Sequence, residues 1–511
     1  MDRAVLIANR GEIAIRVART CKRLGFRTVG VYSAEDHDSE HIRYCDEAYL
    51  LGPAAPRESY LNIERIIEVA KQSGAKWIHP GYGFLSERAE FVRACERAGL
   101  IFIGPSAEVM EQMGDKISAR QVIDQLKVPR VPGSKGAVNS VDEAAKIANE
   151  LKYPILLKAA AGGGGKGMRR VDHEGELKTA FDAAKREALA AFGDDALYLE
   201  KLILSPHHIE VQVFGDGKGG AVHIGERECS IQRRHQKIWE ESPSPLMEKF
   251  SQKREALFEN AIRITSFLKY AGAGTLEFVA DEEGNCYFLE MNTRLQVEHP
   301  VSEWVSGIDL VEWQVRLVAD AAFSLPHQDE IKRTGASIEA RIYAEDPENF
   351  LPAPGPIGLI EAPSGPFVRW DAGIRRWGRV PMDYDPMIAK LSTWGIDREA
   401  ALGRLRVALT EIRIEPPIGS HGLKIGSMKT NLSLLRRLCH VEEVRAGETS
   451  TDLIPNHPEL KSLEEKEVSI EQAVAVSIFQ LLDESLNRRE EALGARARGW
   501  SLTSLQESVR K

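Results

Sequence analysis

AVLIANRGEIAIRVARTCKRLGFRTVGVYS, residues 4–33, decides the fold. An apolar run (AVLIA) meets a glycine-bearing turn (NRGE), passes into an amphipathic stretch (IAIRVARTCKRLG) and returns as a second apolar run (RTVGVYS). Strand, helix and strand in that order form a βαβ unit, and repetition of the pattern through the first third predicts a doubly wound parallel sheet. The turn holds one glycine, Gly11, and not G-x-G-x-x-G, so it gives poor support for a dinucleotide site. Ligands of such sheets gather beyond the carboxyl ends of the strands. That is where HPGYGFLSE, residues 79–87, falls after the run AKWI.

Further along, the character changes near Gly114: GDKISARQVI opens a helix and VPRVPGS is a linker rich in Pro and Gly. A strand (YPILLKAA), a glycine-rich loop (AGGGGKGMRRV), a long helical stretch and a strand (ALYLEKLI) follow. HIEVQVFGD and GAVHIGERE predict a hairpin with Asp216 and Gly217 at its turn, and GTLEFVA and CYFLEMN predict two more strands. From about Gly335, IEARIYAE, GLIEAP, FVRWDAG and MIAKLSTWG alternate apolar and polar residues, which predicts a separate, mostly antiparallel layer. After Leu460 a charged spacer leads to a run with Val468, Ile470, Val474, Ile478, Leu482 and Leu486 near helical spacing. It reads either as a helix packed on its own domain or as a docking helix for a partner chain.

At 511 residues, with 43% hydrophobic and 28% charged, the chain has material for two to four cores. A formal charge of -9 argues against a nucleic-acid partner held by its phosphates. The six cysteines are scattered with no C-x-x-C spacing, so neither a zinc clip nor a redox pair is expected, and reduced thiols in a cytoplasmic compartment fit best. Charges at Asp2, Arg3 and Arg10 flank an apolar run too short for a signal-peptide core. No stretch approaches the roughly 18 apolar residues of a membrane span.

Three stretches carry chemistry. Gly162, Gly163, Gly164, Gly165, Lys166 and Gly167 lie just after an apolar strand bearing Lys158. Such glycines let backbone N–H groups converge on anionic oxygens while the lysines supply charge, although the spacing is not that of a P-loop. The bland alternative is a flexible turn. Glu290, Asn292, Arg294, Gln296 and Glu298 place a polar group at every second position. If that segment is extended, all five share one face, about 6.6 Å apart along about 26 Å. Glu277, on the preceding strand, comes alongside Glu290 if the two strands form a hairpin. Two carboxylates and a carboxamide oxygen are hard ligands suited to magnesium or manganese on nucleotide phosphates; the competing reading is a solvated edge strand. Residues 228–242, ECSIQRRHQKIWEES, gather Gln232, Arg233, Arg234, His235 and Lys237. Alone they are an exposed basic loop; beside a metal-nucleotide site they can hold a departing phosphate and a small anion.

NRGEIAIRV, HPGYGFLSE, GDK around Lys116, AAGGGGKGMR, EKLILSPHHIEVQV, ERECSIQRRHQK, GTLEF, EMNTRLQVEHPV, EARIYAEDP, YDPMIAKL and MKTN occur in one order over roughly residues 1–455. Together they resemble biotin carboxylase, a branch of the ATP-grasp superfamily. The resemblance implies a mixed α/β and α+β architecture: an N-terminal doubly wound, Rossmann-like domain (1–113), an ATP-grasp domain (114–332) with a glycine-rich lid (about 131–202), a mostly antiparallel C-terminal domain (333–456), and a charged spacer with a helical tail (457–511). It implies that Lys116 and Lys158 hold ATP phosphates beneath the lid of Gly162 to Gly167, that Glu200, Lys201 and Ile203 receive adenine, and that His208, Gln232 and His235 complete the nucleotide site. Glu277, Glu290 and Asn292 would ligate two magnesium or manganese ions. Lys237, Arg294, Gln296, Val297 and Glu298 would form the bicarbonate pocket, with Glu298 as base and Arg294 stabilising the biotin enolate. Arg341 would contact carboxyphosphate or biotin, with Tyr82 and Asp385 near the biotin pocket.

The implied reaction is ATP-dependent carboxylation of carrier-bound biotin through carboxyphosphate, the first half-reaction of an acyl-CoA carboxylase such as acetyl-CoA carboxylase. The implied partners are a biotin carboxyl carrier protein, a carboxyltransferase subunit and a second copy in a homodimer, with neither nucleic acid nor membrane. Rival readings are an ATP-grasp ligase for another carboxylate and a non-catalytic nucleotide-binding subunit. Three departures stand out: His207 where the family often has Arg at an exposed position, a longer connection over 412–427, and SMKT around Lys429, which lacks the Met-Lys-Met setting of a biotinylated lysine, so that biotin would arrive on another chain.

Overall fold

A computed structural model of the chain describes residues 3–134, 136–159, 168–234, 236–419 and 425–460, and of Lys116, Ile117, Ala191 and Phe192 the backbone alone. Five parallel strands open it: β1 (Ala4–Ile7), β2 (Arg27–Ser33), β3 (Glu47–Gly52), β4 (Trp77–His79) and β5 (Ile101–Phe102), in the order β3-β2-β1-β4-β5. This is the doubly wound sheet that residues 4–33 predict. The helix Gly11–Arg23 buries Ile13, Ala14, Ile15, Val17, Ala18 and Cys21 and keeps Glu12 in its first turn and Lys22 and Arg23 in its last, as the helix dipole favours. The strand order reverses between β1 and β4, so the loops that follow them meet. Asn9 Nδ2 donates to Pro80 O and Tyr82 O, both at 2.7 Å. Gly81 turns with φ +64° against that amide, where a Cβ would lie 2.9 Å from Nδ2.

Three antiparallel strands follow in the order β7-β6-β8: β6 (Ile155–Ala159), β7 (Met168–Val171) and β8 (Leu197–Lys201). The expected phosphate loop, Gly162 to Gly167 with Lys166, joins β6 to β7 and lies outside the described residues.

The largest sheet has eight antiparallel strands in the order β15-β14-β9-β10-β13-β16-β21-β19. Its members are β9 (His207–Asp216), β10 (Ala221–Glu228), β13 (Trp239–Ser242), β14 (Ala271–Ala280), β15 (Cys286–Asn292), β16 (Ala336–Tyr343), β19 (Val368–Ala372) and β21 (Met387–Gly395). β9 and β10 form the expected hairpin, turning after Asp216 through Gly217 at φ +77°. A two-residue hairpin, β11 (Gln232–Arg233) with β12 (Gln236–Lys237), precedes β13. Two small pairs complete the sheets: β17 (Gly355–Pro356) with β20 (Arg379–Val380), and β18 (Leu359–Glu361) with β22 (Arg413–Glu415).

The large sheet corrects the expectation of a separate C-terminal layer. β16, β19 and β21 continue the sheet begun by β9 and β10, because the four-residue β13 pairs through Glu241 with Glu228 on one side and along Ser337–Ala340 on the other. Of the four alternating segments, the GLIEAP strand, β18, stands apart from it and pairs with β22. The long connection over 412–427 starts as β22 against β18, and residues 420–424 lie outside the described ones. The described residues, from 3 to 460, form one compact unit. The predicted helical run 468–486 lies outside the described residues.

Candidate active site

A cavity of about 790 Å³ takes part of its wall from the three-stranded sheet and part from the large one. Lys158, Glu200, Lys201, Ile203, His208 and Gln232, all expected at a nucleotide, line it together with the apolar Val131, Leu156 and Leu289. Lys158 Nζ pairs with Glu200, which also takes Arg120 at 3.1 Å. Lys201 Nζ donates to Lys152 O at 2.8 Å, and Gln232 Nε2 lies 3.1 Å from His208 Nδ1. Lys116 opens the helix Lys116–Gln125, capped by Asp115 accepting from Ser118 N at 2.8 Å. Its side chain, His235, and Gly163, Gly164, Gly165, Lys166 and Gly167 lie outside the described residues.

Beside the cavity, three adjacent strands put carboxylates in a row. Glu277 on β14 stands opposite Glu290 on β15, as the hairpin expectation required, and opposite Glu210 on β9. The Lys237 ammonium sits among them, in contact with Glu210, 3.0 Å from Glu277 and 3.0 Å from Glu298. His208 Nε2 is 3.0 Å from Glu277 Oε2 and 3.3 Å from Glu210 Oε1. Burial alone lowers an imidazole, but the neighbouring carboxylates outweigh it and hold His208 at about 9. Burial likewise opposes the charge on Lys237, yet its three carboxylates keep it well above the usual lysine range. Glu277 is held well below the carboxylate range against burial, chiefly by Lys237 and His208. Glu290, pushed up by burial and by Glu277, carries crowded negative charge.

The Glu290 to Glu298 segment is not one extended row. β15 ends at Asn292, where Glu87 captures the chain: its carboxylate accepts from Thr293 N at 3.1 Å and from Arg294 Nε at 2.9 Å. A turn follows and the helix His299–Ser306 begins, with Glu298 at its N-cap. The doubling back gathers the polar groups instead of spreading them over about 26 Å. Asn292 Nδ2 and Gln296 Nε2 donate to the same Glu277 Oε1 at 2.7 and 2.9 Å, and Glu298 Oε2 accepts from Arg341 Nη2 at 2.9 Å. Burial would raise Glu298, but Lys237 and Arg341 hold it below the usual range.

Arg294 points the other way, to Glu87 and to Asn292 Oδ1 at 2.9 Å. Val297 offers its carbonyl to Lys390 Nζ at 2.7 Å. Tyr82 donates its hydroxyl to Glu12, itself 3.4 Å from Lys390. Asp385 is exposed two residues before β21, accepting from Met387 N at 2.9 Å. His207, expected at an exposed position, is buried 3.2 Å from Glu228.

Sequence reasoning missed Glu210, Glu87, Arg227, Lys390 and Glu12. Arg227 spends its guanidinium on Glu210, on Gln212 Oε1 at 2.6 Å and on Thr275 Oγ1 at 3.1 Å. A signal for Glu210 was present: His208, Glu210 and Gln212 alternate in HIEVQV as the polar residues do after Glu290. Glu277 and Glu290, opposite each other across the hairpin, offer hard oxygen ligands suited to a divalent cation, which would relieve the like-charge crowding at Glu290; Asn292 beside them turns its Nδ2 to Glu277 and its Oδ1 to Arg294.

A small antiparallel sheet facing a larger one across a cavity edged by carboxylates defines an ATP-grasp ligase. Family models agree along the chain: residues 1–110 match the biotin carboxylase N-terminal domain, 115–325 the carbamoyl-phosphate synthase L chain ATP-binding domain, and 339–456 the biotin carboxylase C-terminal domain. The chain belongs to the biotin carboxylase family. It is 46% identical over 463 residues to a biotin carboxylase of Halalkalibacterium halodurans, covering 90% of this chain and 99% of that protein. It is 48% identical over 455 residues to the mitochondrial methylcrotonoyl-CoA carboxylase subunit alpha of Mus musculus, covering 89% of this chain but 62% of that longer one. The biotin carboxylase domain dimer of Hydrogenobacter thermophilus 2-oxoglutarate carboxylase, solved with MgADP, ADP and bicarbonate, superposes with a TM-score of 0.80 at 44% identity over 91% of this chain and 99% of that one. Among the described residues no helix is long and apolar enough to cross a membrane.

Proposed function

We propose that the chain activates bicarbonate with ATP and places the carboxyl group on carrier-borne biotin. The observation that carries this is the lodging of Glu298 between two cations, Lys237 at 3.0 Å and Arg341 at 2.9 Å, beside the Glu277 and Glu290 pair. Those cations keep Glu298 ionised although it is buried. An entering bicarbonate draws Lys237 and Arg341 toward its own charge, and Glu298, relieved of them, gains the basicity to take the proton.

The other assignments follow the family pattern. Lys116, Lys158 and the Gly162 to Gly167 loop with Lys166 hold phosphates; Glu200, Lys201 and Ile203 receive adenine between apolar walls; His208, Gln232 and His235 fix the nucleotide. Arg294, Gln296 and Val297 complete the anion pocket, with Arg341, Tyr82 and Asp385 toward biotin. Glu277, Glu290 and Asn292 would hold the divalent ions, magnesium or manganese, whose charge offsets that of the transferring phosphoryl group. The domain division at residues 113, 332 and 456 belongs to the same reading. So do a cytoplasmic homodimer, a biotin carboxyl carrier protein and a carboxyltransferase, with acetyl-CoA as the first acyl acceptor to try.

ATP hydrolysis by the purified protein should require bicarbonate and rise with added free biotin. Glu298→Gln should cost about 10² to 10⁴ in turnover, the usual value of a positioned base. Turnover retained in Glu298→Gln, or hydrolysis indifferent to bicarbonate, overturns the reading.

A further inference from the structure

Two carboxylates without a role in the reading above lie beneath Arg341. Glu240 on β13 and Glu339 on β16 stand directly opposite each other, both 0% exposed. Arg341 is two residues further along β16 and so leaves the same face, with Lys390 of β21 opposite it. Arg341 Nη2 lies 2.5 Å from Glu240 Oε1 and 2.9 Å from Glu298 Oε2, so one guanidinium nitrogen answers to two carboxylates. The contact with Glu240 is one of charge: neither oxygen of Glu240 or of Glu339 is in an aligned hydrogen bond, and Arg341 Nε has no partner.

Lys237, Glu298, Glu339 and Arg341 are the charged groups around Glu240, and Lys390, Glu240, Arg341 and Glu298 those around Glu339. Burial pushes Glu240 up to about 7, with Arg341 pulling down and Glu298 pushing further up. Burial raises Glu339 more strongly, so at neutral pH the facing pair is not doubly ionised.

We propose that Glu240 is a positioning residue of the carboxylation reaction, holding the Arg341 guanidinium in place while Glu298 takes the bicarbonate proton. This rests on Glu298 being the base. In that step the O–H electron pair stays on the bicarbonate oxygen and becomes its bond to the γ-phosphorus. The bond from phosphorus to the bridging oxygen breaks and that electron pair leaves with ADP; the proton is then on Glu298. Glu298, now neutral, loosens its hold on Arg341 at the moment the carboxyphosphate anion forms beside it. A guanidinium tied only to Glu298 would be adrift. Tied also to Glu240, it keeps its place and turns the released N–H, with the unpartnered Nε–H, to the new anion. Glu339, kept protonated by burial and by Glu240, leaves the charge of the facing pair on Glu240.

The test is steady-state kinetics of bicarbonate-dependent ATP turnover on the full chain. Glu240→Gln, close in shape, should lower kcat about tenfold with the bicarbonate KM moved by less than about threefold, the pattern of a group needed after binding. Glu339→Gln exchanges a carboxyl that burial keeps protonated for a neutral amide of similar shape, so its kcat should stay close to wild type. An unaltered kcat in Glu240→Gln overturns the proposal, as does an equal loss in both variants. If Glu240→Gln does not fold, judged by its thermal melt, Glu240→Asp decides in its place: the shorter side chain keeps the charge but withdraws it from Arg341, so kcat should fall with the bicarbonate KM held, and an unaltered kcat there overturns the proposal. Wild-type protein without bicarbonate-dependent turnover would defeat the function reading itself; an active wild type with an indifferent Glu240→Gln would defeat only this inference.

Discussion

Asp36 shows how a buried charge is kept in this chain. Arg10 grips its two oxygens at 2.6 and 2.7 Å, and the Tyr60 hydroxyl donates a third bond at 2.6 Å. Burial opposes the carboxylate, but these partners outweigh it and hold Asp36 at about 2, against 3.8 when unconstrained. The difference corresponds to about 2 kcal/mol of stability at neutral pH. For a carboxyl lowered by folding, that contribution is whole above the unfolded value and is lost as pH falls through the folded one. Asp36→Asn should therefore lower the thermal midpoint at pH 7, and its gap to wild type should narrow between about pH 4 and about pH 2. A gap that stays constant over that range would show that the carboxylate is not the source. The cluster also matters for the site, because Arg10 lies 4.5 Å over the ring of Tyr384, the neighbour of Asp385, and so joins the first sheet to the β21 side.

At the scale of elements, the legible parts are those whose partners are near in sequence. The strands β1 to β5 are apolar runs joined by crossovers, and β9 with β10 and β14 with β15 are hairpins, so periodicity and turn residues were enough. The join of β13 to β16 was not legible. It pairs Trp239–Ser242 with Ser337–Ala340 across almost a hundred intervening residues, and alternation tells which face a side chain takes, not which strand lies beside it. For the same reason the alternation after Glu290 gave the wrong shape. The polar period runs on past Asn292, whereas the strand stops because Glu87, from a distant loop, takes up Thr293 and Arg294. Glu240 and Glu339 were invisible as a pair, since each looks ordinary in its own strand. Close packing of these strands is itself testable. Gly215 on β9 faces the backbone of Tyr270, where a Cβ would come 2.1 Å from the carbonyl oxygen. Backbone cannot yield as a side chain does, so Gly215→Ala should cost about 1–3 kcal/mol in urea unfolding. An unmoved midpoint would mean that the strands have room to separate.

On the scale of the whole molecule, the question is whether this chain loads biotin held elsewhere or carries its own. Lys429 in SMKT is the lysine that a carrier reading would choose, and its surroundings argue otherwise. Its ammonium is 2.7 Å from Asp346, and two residues on, Asn431 is fully buried with its amide committed to β16. Asn431 Oδ1 accepts from Tyr343 N at 2.9 Å and its Nδ2 donates to Arg341 O at 3.0 Å. The MKTN block thus fastens the backbone of the arginine that faces Glu298, and a segment fastened there cannot swing a tethered ring between distant centres. The 511-residue chain, incubated with a biotin protein ligase, ATP and biotin, should show no adduct at Lys429 by intact mass while still carboxylating free biotin. Asn431→Ala, by loosening Arg341, should reduce that carboxylation by about tenfold or more, as a small displacement of a positioned group does. A biotin adduct on Lys429 would instead make the chain its own carrier, and full activity in Asn431→Ala would mean that Arg341 is held by its carboxylates alone.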